Sequence, residues 1–293
     1  MNARRARSST TAVALCAFLA GPASAKLVGG EVAHRPASDP GAEIQRLGKN
    51  PEKVWLAWTV PTRNDQAICG FGHGPQGQGG WGGWGITLAD DDSSGGTRDG
   101  APPIAVTHVE IYAAVRDGEV QKLRFASEGC PVQAGDQRIL WLDGVTPAAS
   151  VAFLARLAHP ADTRADSKRT ESVAEGALAG LAFHADPAAP VALVHLGRES
   201  EDDEVRAQAH FWLAQTGDPR AARWIREAIA RDPSDEVREQ SVFALSQVAD
   251  ATPQLLALLR ESADREVKRQ AIFWLGQSDD PRAIAELERL LTR

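Results

Sequence analysis

The feature that most constrains this chain is a short unit that recurs four times in its C-terminal half. Val173, Val205, Val237 and Val267 follow one another at nearly even intervals. Four residues after each Val stands a small residue (Ala177, Ala209, Ser241, Ala271), and eight after it a Leu (Leu181, Leu213, Leu245, Leu275). Thirteen after it comes an Asp (Asp186, Asp218, Asp250, Asp280), followed directly by Pro at Pro187, Pro219 and Pro281 and only later, at Pro253, in the third copy. The last three copies also share a basic second position (Arg206, Arg238, Lys268), a Gln (Gln208, Gln240, Gln270) and a Phe (Phe211, Phe243, Phe273).

Residues at i, i+4 and i+8 share one helix face, so each copy begins with a helix carrying one apolar stripe, and the small residue lets a neighbouring helix come close. Asp-Pro pairs an N-cap with a first-turn residue, which starts a second helix after a tight turn. These second helices are expected at 187–197, 219–231, 253–260 and 281–291. A single helix pair cannot cover its own apolar side, so successive pairs must stack into a solenoid. Thr146-Pro147, followed by Val151, Leu154 and Leu157, predicts a further helix over 147–158 that caps the array.

Upstream, the period is that of strands. Val54, Leu56, Trp58 and Val60 alternate along one segment, and Val109, Ile111, Ala113 and Val115 along another. Asp117-Gly118 then predicts a hairpin turn into a return strand over 120–125, and residues 138–142 form a further short strand. The expected fold class is therefore α+β. A small, antiparallel β-rich domain over 26–145 precedes an α-solenoid over 146–293 made of a cap helix and four repeats starting near Val173, Val205, Val237 and Val267. The β-rich part is interrupted by a Gly/Trp-rich stretch around Trp81 and Trp84 and an acidic one from Asp90 to Gly100, both read as surface loops.

The segment from Met1 to Ala25 combines Arg4, Arg5 and Arg7 with a short apolar run from Ala12 to Ala20 and a small-residue pattern at its end. That is the pattern of a secretory signal, and the run is too short to span a bilayer. A periplasmic or secreted protein with no transmembrane segment after cleavage is expected. Removing this segment removes Cys16 and leaves Cys69 and Cys130, for which an oxidising compartment implies a disulfide. It would close a loop of about 60 residues, stabilising the fold by ~4 kcal/mol.

The motif Val-Arg-x-x-Ala…Leu…Asp-Pro over 173–293 resembles the HEAT repeat, in particular the short HEAT-like form of phycobilin lyases. With the signal and the Cys-bearing β-rich part, the chain is similar to exported bacterial HEAT-repeat proteins. The resemblance implies a scaffold that binds a protein partner and assigns no reaction. The first copy departs most, with Ala174, Gly176 and Ala179 where the others have Arg/Lys, Gln and Phe.

The residue types that could carry chemistry fall into no complete catalytic or metal-binding pattern. The His-Glu pairs with which HEAT-like deoxyhypusine hydroxylases hold iron are lacking, since His184, His195 and His210 precede Ala, Leu and Phe. Residues 168–293 hold 16 basic and 22 acidic residues within a chain of net charge −7, which excludes the basic face of HEAT-like DNA glycosylases and argues against nucleic acid generally. No Gly-x-Ser-x-Gly elbow, phosphate loop or His-Glu-x-x-His motif is present. Asp90, Asp92 and Ser94 match the first half of a calcium loop, but the twelfth position is Ala101 rather than the bidentate Glu. Cys69 and His73 offer too few ligands for zinc. No cofactor is expected. His210 reads as a packed core histidine, and Trp212 and Trp274, beside Phe211 and Phe273, as inter-repeat packing.

The expected function is thus an exported, non-enzymatic scaffold or adaptor. Its second helices would present Arg223, Arg226, Glu227, Arg260 and Glu288 to a protein partner. The alternative is a periplasmic enzyme or ligand-binding protein with its site between the β-rich part and the first repeat.

Overall fold

The computed structural model describes residues 26–63, 86–89, 106–159 and 167–292. Six strands come first: β1 (Lys26–Pro36), β2 (Val54–Pro61), β3 (Ile86–Thr87), β4 (His108–Arg116), β5 (Glu119–Ser127) and β6 (Pro131–Asp143), with helix α1 (Pro40–Leu47) between the first two. The expected alternation is realised. On β2 and β4, Leu56, Trp58, Val60, Val109, Ile111 and Ala113 turn to the helices, while Trp55, Ala57, Tyr112 and Ala114 build a second core on the opposite face. Asp117 and Gly118 both take positive φ, 54° and 80°, and close the β4–β5 hairpin as the sequence predicts.

The pairing departs from the antiparallel expectation. The sheet order is β1-β6-β2-β4-β5 and the sheet is mixed: β2–β4 and β4–β5 are antiparallel, while β6 runs parallel to β1, β2 and β3. Two register shifts, one on each side of Gly29 of β1, interrupt the alternation of β6. Val132 and Ala134 before Gly135, and Ile139 and Trp141 after it, all face the second core although their parity differs. Each shift sets one more residue on β6 than on β1, with Gln133 to Gly135 against Val28 to Gly29 and Gly135 to Arg138 against Gly29 to Glu31, and so breaks the alternation.

Helices follow without a further strand among the described residues: α2 (Pro147–Leu157), α3 (Ser167–Phe183), α4 (Ala188–Glu199), α5 (Asp203–Gln215), α6 (Ala221–Arg231), α7 (Asp235–Ser246), α8 (Ala251–Glu261), α9 (Arg265–Gly276) and α10 (Pro281–Leu291). Thr146 caps α2 through Ala149 N–H at 3.2 Å, with Pro147 in its first turn. The last eight helices form the four expected pairs. Asp202, Ser234 and Asp264 cap the first helices of the last three. Second helices differ slightly from expectation at their starts. Asp186 and Asp218 accept the N–H two residues on, at 2.8 Å each, so α4 and α6 begin just beyond their prolines. Helix α8 instead starts before Pro253, which its first turn tolerates because those N–H groups have no helical partner.

Sheet and helices share one continuous apolar core, running from Ile44 and Val54 through Phe125, Leu178, Leu213 and Leu245 to Leu275. Helix α3 is what allows this. Its Gly176 and Gly180 lie against Leu123 and Phe125 of β5, where a Cβ on Gly180 would meet the Phe125 ring at 2.7 Å. No described helix is long and apolar enough to cross a membrane.

Candidate functional site

The five charged residues expected to face a partner lie along the second helices, and four of them are held by ion pairs. Glu227 on α6 receives Arg198 from α4 and, at 3.4 Å, Arg223 from its own helix. Arg226 reaches Glu261 on α8 at 2.8 Å, and Arg260 on α8 reaches Glu286 on α10 at 3.4 Å. The result is a charged row crossing α4, α6, α8 and α10, in which successive helices are tied to one another. Arg223 and Arg260 remain well exposed, at 78% and 60% of their side chains, and Glu288 is exposed at the far end. Sequence reasoning missed Arg198, Glu261 and Glu286. Their spacing from their partners varies from seam to seam, so they fall in no repeat column.

A second set of pairs ties a first helix to the turn that leads into the next one. Arg206 is nearly buried and binds the Asp232 carboxylate twice, at 2.9 and 3.2 Å, and the Ser200 carbonyl at 2.9 Å. Arg238 repeats the pattern one seam on, with Asp264 at 3.2 Å and the Asp232 carbonyl at 3.0 Å. Hydrogen bonding to Asp232 raises the Arg206 pKa, and backbone N–H groups hold the Asp264 carboxylate below its usual range.

His210 behaves as the packed residue its position suggests, and it also joins three repeats. Its Nδ1 lies 2.8 Å from Ser241 Oγ on α7, and its Nε2 faces the backbone of Gly197 on α4, where a Cβ would stand 2.6 Å away. Burial pushes its pKa down to about 4. The aromatic positions pack as a row: Phe183 edge-on to Trp212, Phe211 stacked on Phe243 at 5.7 Å, and Phe243 on Trp274 at 4.8 Å.

Where the sheet meets the first repeat, Trp58 Nε1–H donates to Ser150 Oγ at 2.9 Å, and Ser150 Oγ lies 2.9 Å from His184 Nε2. A serine beside a histidine invites comparison with a nucleophile and its base. Both side chains are buried, however, and His184 Nδ1 has no hydrogen-bond partner among the described residues, so no third group among them orients the ring. Desolvation pushes His184 down to about 4 against a weaker opposing effect of Asp186. The arrangement is a neutral polar stitch between sheet and helices. Around it, Thr62 Oγ1 donates to the Phe183 carbonyl at 2.7 Å and Arg63 approaches Asp218 at 3.9 Å. An open cleft of about 420 Å³ lies elsewhere, between the ends of β1 and β6 and helix α1, lined by Asp39, Arg46 and Asp143 among others.

Cys130 is fully buried in the second core. Cys69, the calcium candidates Asp90, Asp92 and Ser94, and the Gly/Trp-rich stretch lie outside the described residues. Among the described residues no cluster of three or more metal-ligating side chains occurs.

Residues 189–253 match the family described as HEAT repeats, and residues 267–293 match the PBS lyase HEAT-like repeat. No curated protein matches the chain.

Proposed function

We propose that this protein is an exported, non-enzymatic scaffold that binds a protein partner through the charged row on its second helices, using Arg223, Arg226, Glu227, Arg260 and Glu288. HEAT-like repeats in general suggest a protein-interaction scaffold. The observation that carries the reading here is the row itself. Ion pairs crossing three seams hold its charged groups in place, so less side-chain freedom is lost when a partner binds. Rim charges of this kind steer encounter and fix register more than they add affinity. The reading includes the localisation expected from the basic and apolar segment that ends at Ala25, a periplasmic or secreted one, and a disulfide between Cys69 and Cys130 in that oxidising setting.

Two experiments test it. An affinity-tagged chain is used to capture partners from periplasmic extract, in parallel with an Arg223→Glu/Arg260→Glu variant that retains its far-UV spectrum and unfolding midpoint. A stoichiometric partner held by the wild type and lost by the variant supports the row. Equal capture by both removes it, and a small ligand that raises the melting temperature with no partner captured favours the alternative of a ligand site. Thiol titration of exported protein under denaturing, non-reducing conditions tests the localisation and disulfide together: two free thiols per chain overturn the pairing.

A further inference from the structure

The side of the last helix pair that points away from α7 and α8 has the composition of an internal seam. In the preceding repeats, the position five residues after the repeat Val faces the next repeat: His210 of α5 bonds Ser241 of α7, and Val242 is fully buried. Its counterpart on α9, Ile272, is 41% exposed. The neighbouring Phe273 is 53% exposed where Phe211 and Phe243 are half-buried, and Ile284 on α10 is 50% exposed. A helix face that met only water would carry polar side chains. This one carries three large apolar side chains.

The charges around that patch follow the same logic. The position after the repeat Val holds Arg206 and Arg238, each of which crosses its seam to an Asp of the next repeat. The equivalent on α9 is Lys268, for which no ion pair occurs among the described residues. On α10, Glu288 lies five residues after the buried Ala283, as Arg226 lies five after the buried Ala221, and Arg226 is a residue that reaches the next second helix. Glu288 is exposed. Lys268 stands in the first turn of α9 and Glu288 in the last part of α10. A short turn joins these two helices, so the antiparallel pair brings both residues to the same end.

We infer that this face binds the same face of a second copy of the chain, in a two-fold dimer that lays α9 of each copy over α10 of the other. An axis parallel to the helices keeps each residue at its own height while exchanging the two helices. Lys268 of one copy then meets Glu288 of the other, twice, around a centre made by Ile272, Phe273 and Ile284 of both. A two-fold contact demands such self-complementarity, and a cation on one helix with an anion at the same height on its neighbour supplies it. The opposite end of the array is covered by the sheet through α3 and β5, so head-to-tail stacking of copies has no complementary surface. Two helices per copy form a contact at the small end of specific interfaces, which implies a reversible dimer in the micromolar range. This surface takes up Glu288 at the end of the charged row and leaves its Arg223 and Arg260 section free for a different partner.

Sedimentation velocity on the purified protein, from about 1 to about 200 µM, tests the inference. Wild type is expected to shift from monomer to dimer across that range. Ile272→Glu abolishes the shift, Lys268→Glu weakens it about tenfold, and Lys268→Glu/Glu288→Lys restores it. The three substituted residues are exposed or half-exposed, and unchanged unfolding midpoints establish that each variant is folded. A wild type that stays monomeric throughout overturns the dimer. A dimer indifferent to Ile272→Glu overturns the face, and failure of the double charge exchange to recover overturns the two-fold geometry. Partner capture through the Arg223 and Arg260 section is scored separately and can fail or succeed independently.

Discussion

The joint between sheet and helices and the seams between repeats do the same mechanical work with different means. At the joint the contacts occur once: two glycines on α3 against Leu123 and Phe125, the ring contact of Phe125 with Phe183, and the Trp58–Ser150–His184 stitch. At the seams they recur: an aliphatic stripe, a row of aromatics, an Arg–Asp pair from a first helix to the turn before the next, and a cation–carboxylate pair on the second helices. Loss of a single group should therefore be felt more at the joint, where nothing repeats it, than along the array.

The largest effect is expected at the hinge of this comparison. Phe183 touches Phe125 of the sheet at 5.8 Å and Trp212 of the next repeat at 6.0 Å, so Phe183→Ala should cost about 3–5 kcal/mol in urea unfolding. If it costs no more than Val242→Ala at an internal seam, the contrast is wrong.

Next comes the seam ion pair. Arg206→Ala leaves the nearly buried Asp232 carboxylate unpaired and should cost about 3 kcal/mol. Arg238→Ala, at a position with 21% and 35% exposed partners, should cost under about 1 kcal/mol. Equal losses would show that burial does not set the difference.

Acid should act on joint and seam together. His184 and His210 both sit at about 4 in the folded protein against an ordinary 6.5, so the unfolded chain binds protons first as pH falls. Their contribution is present above pH 6.5 and is lost between 6.5 and 4, on the order of 3 kcal/mol each. His210→Val copies the next repeat's Val242 and should remove half of this loss; urea midpoints at pH 7.5 and 4.5 measure it. The smallest effect belongs to Arg138→Ala. Its pair with Glu52 is more than half exposed on both sides, and the unfolding midpoint should not move.

Much of the array was legible because its information is local and repeated: Val, small residue and Leu at helical spacing mark the buried stripe of every first helix. The ladder on that stripe was half legible. Arg206 and Arg238 share a column, but their partners do not. The inter-repeat turns read Ser200 and Asp202, then Asp232 and Ser234, then Ser262 and Asp264, so the carboxylate moves by two positions and hides from alignment. Of the site, Arg223 and Arg226 were found as charged residues on second helices, whereas the reach of Arg226 across its seam depends on helix stacking that no single segment encodes. Of the sheet, β2, β4, β5 and the last part of β6 were legible, while β1, β3 and the strand order were not. Parallel pairing of β1 with β6 joins residues about a hundred apart, and Gly29-Gly30 interrupts the alternation that would have marked β1 as a strand. Helix α1 went unread, because its Asp39-Pro40 start and Gly48 end enclose only eight residues.

The parallel pairing of β1 bears on the order in which the chain can assemble. Lys26 pairs with Pro131 and Pro36 with Asp143, so at synthesis the first strand emerges about a hundred residues ahead of the one that receives it. Each repeat, by contrast, finds its neighbour within about thirty residues. Contacts between distant positions form slowly and leave strand edges uncovered in the meantime. The earliest-made strand of this sheet is thus held open for the longest stretch of chain, and its Gly29-Gly30 interruption and the charges Glu31 and Arg35 guard an edge during that wait.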